Sequence, residues 1–269
     1  MSRKIAQENS RIKPLEAGEI VMLRDRRGRR YRLKLTVGNE YHTHMGTIIH
    51  DHMIGKTEGF FVKTSMDNKL LVLRPTLSEA VQELPRHSQV IYGKDLGGII
   101  IHGDLFPGAN VLEIGLGSGA TAIAILRAIG PSGSLVTYEV REEIISGAKQ
   151  NIAEFIGDCS NHLVKLGDVY EEGIEEKELD RIVMDLPEPW QLIKQAADAL
   201  NPGGILLCYL PTVLQVHLLG IAIQEEQRFQ LAATVELLER PWHVTFKSIR
   251  PEHRMVGHTG FITTARRCE

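Results

Sequence analysis

Residues 110–120 read Asn-Val-Leu-Glu-Ile-Gly-Leu-Gly-Ser-Gly-Ala, and this stretch decides the fold. Asn110 to Ile114 is a short apolar run without alternation, the pattern of a strand buried on both faces in a parallel sheet. Gly115-Leu-Gly-Ser-Gly119 then allows a sharp turn, and residues 119–129 have helical spacing closed by Gly130-Pro131. The alternation repeats downstream. Strands are expected at Ser134 to Glu139, His162 to Leu166, Arg181 to Met184 and Gly204 to Tyr209. Helices are expected over 141–155, 190–200 and 212–227. Strands alternating with helices imply an α/β, doubly wound, Rossmann-like sheet covered on both faces. Thr234 to Ile249 and Thr259 to Thr264 follow each other without a helix between them, which fits a terminal antiparallel hairpin.

Upstream the period changes. Ile20 to Leu23, Tyr31 to Val37, Gly59 to Lys63 and Lys69 to Leu73 are short strand candidates, with turns at Asp25 to Gly28 and Met66 to Asn68. Thr76 can cap a helix reaching about Glu83, and Pro85 to Ser88 reads as a linker. The expected division is a small β-rich domain over 1–84 and the α/β domain over 85–269. The chain has 269 residues and a formal net charge of −3, which does not advertise a nucleic-acid binder. Charge is nevertheless sorted along it: residues 24–34 carry six arginines and one lysine against one aspartate. That segment reads either as a grip on phosphates or as a charged hairpin edge that resists aggregation. Strand alternation would split its arginines between two faces. There is no apolar run of about 18 residues, and the polar start lacks the apolar core of a signal peptide. Cys159, Cys208 and Cys268 are isolated, so neither a disulfide framework nor a thiolate zinc site is expected. The expected location is cytoplasmic.

In a doubly wound sheet, ligands bind beyond the carboxyl ends of the strands. After the first of these strands come Gly115, Gly117, Ser118, Gly119 and Ala120, a set that also satisfies a dinucleotide pattern. After the second comes Glu139, a carboxylate able to accept both hydroxyls of a ribose or, alternatively, to cap the helix behind it. After the third come Asp168 and Val169, suited to an adenine amino group and ring face, or to an ordinary Asx-turn. After the fourth comes Asp185-Leu-Pro-Glu-Pro-Trp190, where two prolines stiffen a carboxylate and an aromatic against a flat base. His42 and His44 form an H-x-H pair, but no third ligand accompanies them and no metal is expected.

These motifs together resemble the tRNA (adenine-58-N1)-methyltransferase family. The resemblance extends through His42-Thr-His-Met-Gly46, Leu73-Arg-Pro-Thr-Leu77, Gln89-Val-Ile-Tyr-Gly-Lys-Asp95, Tyr209-Leu-Pro211 with Gln215-Val216, and Gly257-His-Thr-Gly-Phe261, in family order from about Glu16 to Arg267. It implies S-adenosyl-L-methionine as cofactor, tRNA as substrate and a homotetramer. It also implies that Ser118, Gly119 and Ala120 line the methionine end, that Gly115 and Gly117 bind the cofactor with them, that Glu139 holds the ribose, and that Asp168 with Val169 holds the adenine. Asp185 becomes the catalytic carboxylate, also bordering the cofactor; Ile91 borders the cofactor and Tyr92 the target base. Two positions depart from the pattern. Gly93 stands where the family usually has Pro, which loosens that segment, and Ile144 stands where the family is often polar, so no contact is carried to it.

Three other readings compete. One is a methyltransferase acting on isoaspartyl residues or a small molecule, which the rigid segment 185–190 and the N-terminal β module oppose. Another is an NAD-dependent oxidoreductase, for which no nicotinamide partner or proton-transfer residue is found. The last is a non-catalytic tRNA-binding subunit, which the intact glycines, Glu139 and Asp185 oppose.

Overall fold

A computed structural model describes residues 13–84, 90–157 and 159–269, and the chain divides into two compact units, Met1–Glu83 and Leu84–Glu269. The expected linker at Pro85 to Ser88 lies outside the described residues, as does Gln89.

The first unit holds an antiparallel sheet of order β2-β1-β6-β5, made of β1 (Ile20–Arg24), β2 (Arg30–Lys34), β5 (Phe60–Lys63) and β6 (Lys69–Leu73). Its core gathers Leu15, Val21, Leu23, Ile48, Leu70 and Val72. A two-stranded ribbon, β3 (Glu40–Thr43) with β4 (Gly46–Ile49), was not anticipated. The H-x-H pair does not share one strand: His42 lies in β3 while His44 lies in the connecting turn. The ring of His42 bonds Thr47 Oγ1 at 3.0 Å. Thr76 does cap a helix, α1 (Leu77–Gln82), through a reciprocal capping box with Glu79.

The second unit is built on a seven-stranded sheet of order β12-β15-β11-β10-β7-β8-β9. Its parallel members are β7 (Asn110–Ile114), β8 (Ser134–Glu139), β9 (His162–Leu166), β10 (Leu179–Met184) and β11 (Leu200–Leu210). Val111, Leu112 and Ile114 are essentially fully buried, as the unalternated run requires. The helices are α2 (Gly93–His102), α3 (Ala120–Ile129), α4 (Glu142–Ile156), α5 (Val169–Glu172), α6 (Ile193–Ala199) and α7 (Val213–Glu225). The chain leaves β7 toward β8 on one side and reaches β10 on the other, so the switch point of the sheet lies at the carboxyl end of β7.

Two expectations are corrected. The helix expected over 190–200 is a 3-10 turn at Pro189–Leu192 followed by α6, and Leu200 already belongs to β11. The terminal strands pair antiparallel as expected, across a long connection. The antiparallel partners are β12 (Phe229–Glu236) and β15 (Phe261–Arg267), with β15 inserted between β11 and β12. The segment expected as one strand over 234–249 breaks before Pro241, and β13 (Trp242–Thr245) pairs with β14 (Ser248–Pro251) as a separate ribbon. Trp242, Val244, Phe246 and Ile249 are exposed on that ribbon, Phe246 completely.

Candidate active site

The glycine loop and the segment after β10 meet as one body. Ile114 and Met184 are register partners, and the Asp185 amide donates to the Ile114 carbonyl at 2.9 Å. Gly115 has φ of +101°, and a Cβ there would lie 2.5 Å from the Asp185 carbonyl oxygen. Only glycine fits, so Gly115 answers to Asp185 as well as to the turn. Gly119 caps α3 in the left-handed region at φ +84°, and a Cβ there would press on Ile152 at 3.0 Å and the Ala148 carbonyl at 3.2 Å. Asn151, buried in α4, ties the loop down by donating to the Ser118 carbonyl at 3.0 Å. Ser118 and Ala120 are themselves buried.

Glu139 ends β8 almost fully buried. It accepts from the amides of Gly117 (3.2 Å), Val140 (3.1 Å) and Arg141 (3.1 Å), and from the Arg141 guanidinium at Nε (3.1 Å) and Nη2 (3.4 Å). Burial alone would raise its carboxyl, but the Arg141 fork and these amides hold it below the usual range. Leu166 is the register partner of Glu139, and the Gly167 amide donates to the Glu139 carbonyl at 3.1 Å, which brings Asp168 to the neighbouring strand end. Asp168 Oδ1 accepts from the Tyr170 amide at 2.9 Å, so one oxygen serves the Asx-type cap of α5; Val169 is buried. Val140 and Leu166 are exposed apolar side chains at these strand ends.

Asp185 follows the last residue of β10, and the residue is exposed. Its carboxyl is pushed up to about 6, first by desolvation and then by the charge of Glu139, with Arg141 opposing. The segment behind it is braced by groups that the sequence did not mark as braces: Gln215 Nε2 donates to the Pro187 carbonyl at 2.9 Å, and the Glu188 amide donates to Tyr170 Oη at 3.2 Å. Trp190 is half-buried in the 3-10 turn. A second acid was also missed as a site group. Glu113, buried in β7, accepts from Thr137 Oγ1 at 2.7 Å on one oxygen, and its other oxygen has no hydrogen-bond partner among the described residues. Desolvation pushes it up to about 8, Asp185 and Glu139 add to the rise, and Thr137 with the Ala122 amide opposes it.

Ile91 is buried, and Tyr92, half-exposed, precedes α2. No hydrogen bond joins Tyr92 to Asp185 among the described residues. The basic segment forms the tip and outer edge of the β1–β2 hairpin. Arg24 faces Arg30 across the ladder, and α1 supplies Glu79 to Arg24 at 3.4 Å and Gln82 to Arg30 at 3.4 Å. Arg26, Arg27, Arg29 and Arg30 remain exposed. A groove of about 800 Å³ in the same unit, lined by His52, Lys56, Phe61 and Lys63 among others, involves none of the anticipated site residues.

The fold has close counterparts among solved structures. A SAM-dependent O-methyltransferase from Thermotoga maritima matches with a TM-score of 0.90 and 30% identity, covering 97% of each chain. The tRNA (m1A58) methyltransferase TrmI from Aquifex aeolicus matches with a TM-score of 0.81 and 28% identity, over 95% of this chain and 99% of that one. Sheet order, glycine loop and strand-end acids thus define a Rossmann-like methyltransferase. Residues 69–250 match the family model of the tRNA methyltransferase complex GCD14 subunit, and residues 14–62 match the TrmI-like N-terminal model. The tRNA (adenine(58)-N(1))-methyltransferase TrmI of Thermus thermophilus is 34% identical over 92% of this chain and 96% of its own length. The chain belongs to the TrmI family of tRNA (adenine-58-N1)-methyltransferases. A Methanocaldococcus jannaschii relative, 32% identical over 91% of this chain and 94% of its own length, is named for adenines 57 and 58. Among the described residues, no helix is long and apolar enough to cross a membrane.

Proposed function

We propose that this chain is a cytoplasmic enzyme that transfers a methyl group from S-adenosyl-L-methionine to N1 of adenine 58 in the T-loop of tRNA. The observation that carries the reading is the junction of Gly115 with Asp185: a carboxyl of raised pKa stands on a rigid strand end packed against the glycine loop.

The residues present fit the cofactor. The buried Glu139 carboxylate beside the Gly117 amide suits a ribose diol, and Arg141 already presents it with two donors of the kind two hydroxyls would offer. Val140 and Leu166 offer apolar walls for a purine, with Asp168 alongside. Ser118, Gly119 and Ala120 would hold the methionine end, with Gly115, Gly117 and Ile91 also bordering the cofactor.

When bound, the cofactor supplies a methyl group activated on a sulfonium. Asp185 would accept a hydrogen bond from the exocyclic amine of adenine and so orient N1 for attack. As the base gained positive charge on methylation, Asp185 would take up the proton that the exocyclic amine gives away. A carboxyl near 6 is largely ionised at neutral pH and still basic enough for this role. Tyr92 borders the target base, which must first be extracted from the folded tRNA. The exposed arginines within residues 24–32 grip phosphates for that step. The bare apolar ribbon at Trp242 to Ile249 supports assembly as a homotetramer, since patches of this kind mark interfaces.

The test is Asp185→Ala. It should fold, bind S-adenosylmethionine by calorimetry and lose most turnover on unmodified tRNA; unchanged turnover removes Asp185 from the mechanism.

A further inference from the structure

A buried polar cluster at the start of α2 takes no part in the chemistry above. Lys94 Nζ donates to Asp95 Oδ1 at 2.7 Å, to the Leu237 carbonyl at 2.8 Å and to Thr259 Oγ1 at 2.5 Å. An ammonium has three N–H donors, and all three are committed. The other oxygen of Asp95 accepts from Thr259 Oγ1 at 2.6 Å and from Tyr209 Oη at 3.2 Å. The Lys94 side chain is 10% exposed and that of Asp95 1%.

The chain positions of these partners matter more than their number. Leu237 directly follows β12 and Thr259 stands two residues before β15, so they flank the segment 238–258 that carries the β13–β14 ribbon. Both roots of the ribbon therefore converge on one ammonium. That ammonium belongs to the first turn of α2, two residues from Tyr92, whose carbonyl accepts from the Asp95 and Leu96 amides at 2.9 Å each. The joint is closely packed on the glycine faces. A Cβ on Gly98 would lie 2.4 Å from Leu237 Cδ1 and 2.7 Å from Ile262 Cδ1, and one on Gly260 would lie 2.5 Å from Tyr209 Cζ. A second clasp holds the same roots: His258 bonds Glu236 Oε1 at 2.6 Å and the Pro211 carbonyl at 2.7 Å. The hydrogen bond to Glu236 first, and then the Pro211 carbonyl, hold its imidazole above the usual value. Burying an ion pair costs desolvation that apolar packing would avoid, and what the pair adds is directional registry between segments remote in sequence.

We propose that Lys94 is a positioning residue that couples the projecting ribbon 238–258 to the segment carrying Tyr92, so that whatever fixes the ribbon also sets the wall of the active site. The proposal rests on the reading of Tyr92 as a neighbour of the target base. It is tested with Thr259→Val, which deletes only the shared hydroxyl, and Thr259→Ser, which restores it. Hydrogen exchange followed by mass spectrometry should show amides of both 91–97 and 238–258 exchanging about tenfold faster in Thr259→Val, as the loss of bonds to charged groups implies, and near wild type in Thr259→Ser. Turnover on tRNA should fall in Thr259→Val while KM and cofactor affinity stay within about twofold, the sign of a group acting on the reacting geometry alone. Faster exchange confined to the ribbon, or no change in either segment, overturns the coupling. Absence of methyl transfer by the wild-type protein would instead strike the reading of the site, and the exchange result would still decide the coupling.

Discussion

Replacing Gly115 by Ala tests whether the cofactor loop and Asp185 are one rigid body. The new Cβ meets the Asp185 carbonyl oxygen at 2.5 Å, its carbonyl carbon at 3.3 Å and its Cβ at 3.6 Å. Two backbones are in conflict, so no side chain can swing aside. Reaching ordinary contact requires the strand ends to part by about 0.9 Å. The positive φ adds about 1–2 kcal/mol of strain and the overpacking about 1–3 kcal/mol, for a loss of roughly 2–5 kcal/mol. In a domain of this size that lowers the melting temperature by roughly 5–15 °C. A displacement near 1 Å at the reacting carboxylate costs on the order of a hundredfold in turnover. Thermal unfolding, cofactor calorimetry and methyl transfer to unmodified tRNA measure the three effects. Gly97→Ala is the control, since nothing lies within 4 Å of its Cβ and the residue sits in α2, where Ala is favoured by about 0.5–1 kcal/mol. Gly115→Ala with wild-type stability and turnover within about twofold of normal would refute the reasoning.

Asp185 acts as a carboxylate, so turnover should rise with pH through about 6 and level off above it, with a bound sulfonium moving the limb lower; an Asp185→Asn variant whose residual rate keeps the limb would assign it elsewhere. Glu113 is pushed up to about 8, so the folded state holds a proton that the unfolded chain releases near 4.5, and stability is lost as pH rises between those values by roughly 1 kcal/mol per unit. Urea unfolding at pH 5.5 and 8 should show Glu113→Gln flattening that slope, whereas parallel curves would deny the shift. Arg141→Ala removes a half-exposed competitor for Glu139 and should leave cofactor affinity equal or up to about fivefold tighter by calorimetry; a tenfold loss would make Arg141 a cofactor ligand.

The parallel strands and the glycine loop were legible because each is a local pattern. An unalternated apolar run followed by Gly115, Gly117 and Gly119 has few other structural solutions, and the strand-end acids follow from the topology. Helix α2 was not legible, because Gly93, Gly97 and Gly98 disfavour a helix and no helix was expected there. It forms because Gly98 seats against Leu237 and Ile262, a tertiary contact that overrides propensity. The Lys94–Asp95 cluster draws on residues more than a hundred positions apart, with Lys94 and Thr259 separated by 165. Its only trace in the sequence was the set of family segments containing Lys94, Asp95, Tyr209 and Thr259. Arg141 was read as the start of a helix, and nothing local announced that its guanidinium would turn back onto Glu139. The insertion of β15 beside β11 is likewise a property of pairing across the sheet.

Incubating the protein with unmodified tRNA and methyl-labelled S-adenosylmethionine, then mapping the label by nucleoside analysis and position, tests the central claim most directly. The account predicts 1-methyladenosine at position 58, absent with Asp185→Ala. Good cofactor binding with no 1-methyladenosine, or label confined to another nucleoside, would contradict it.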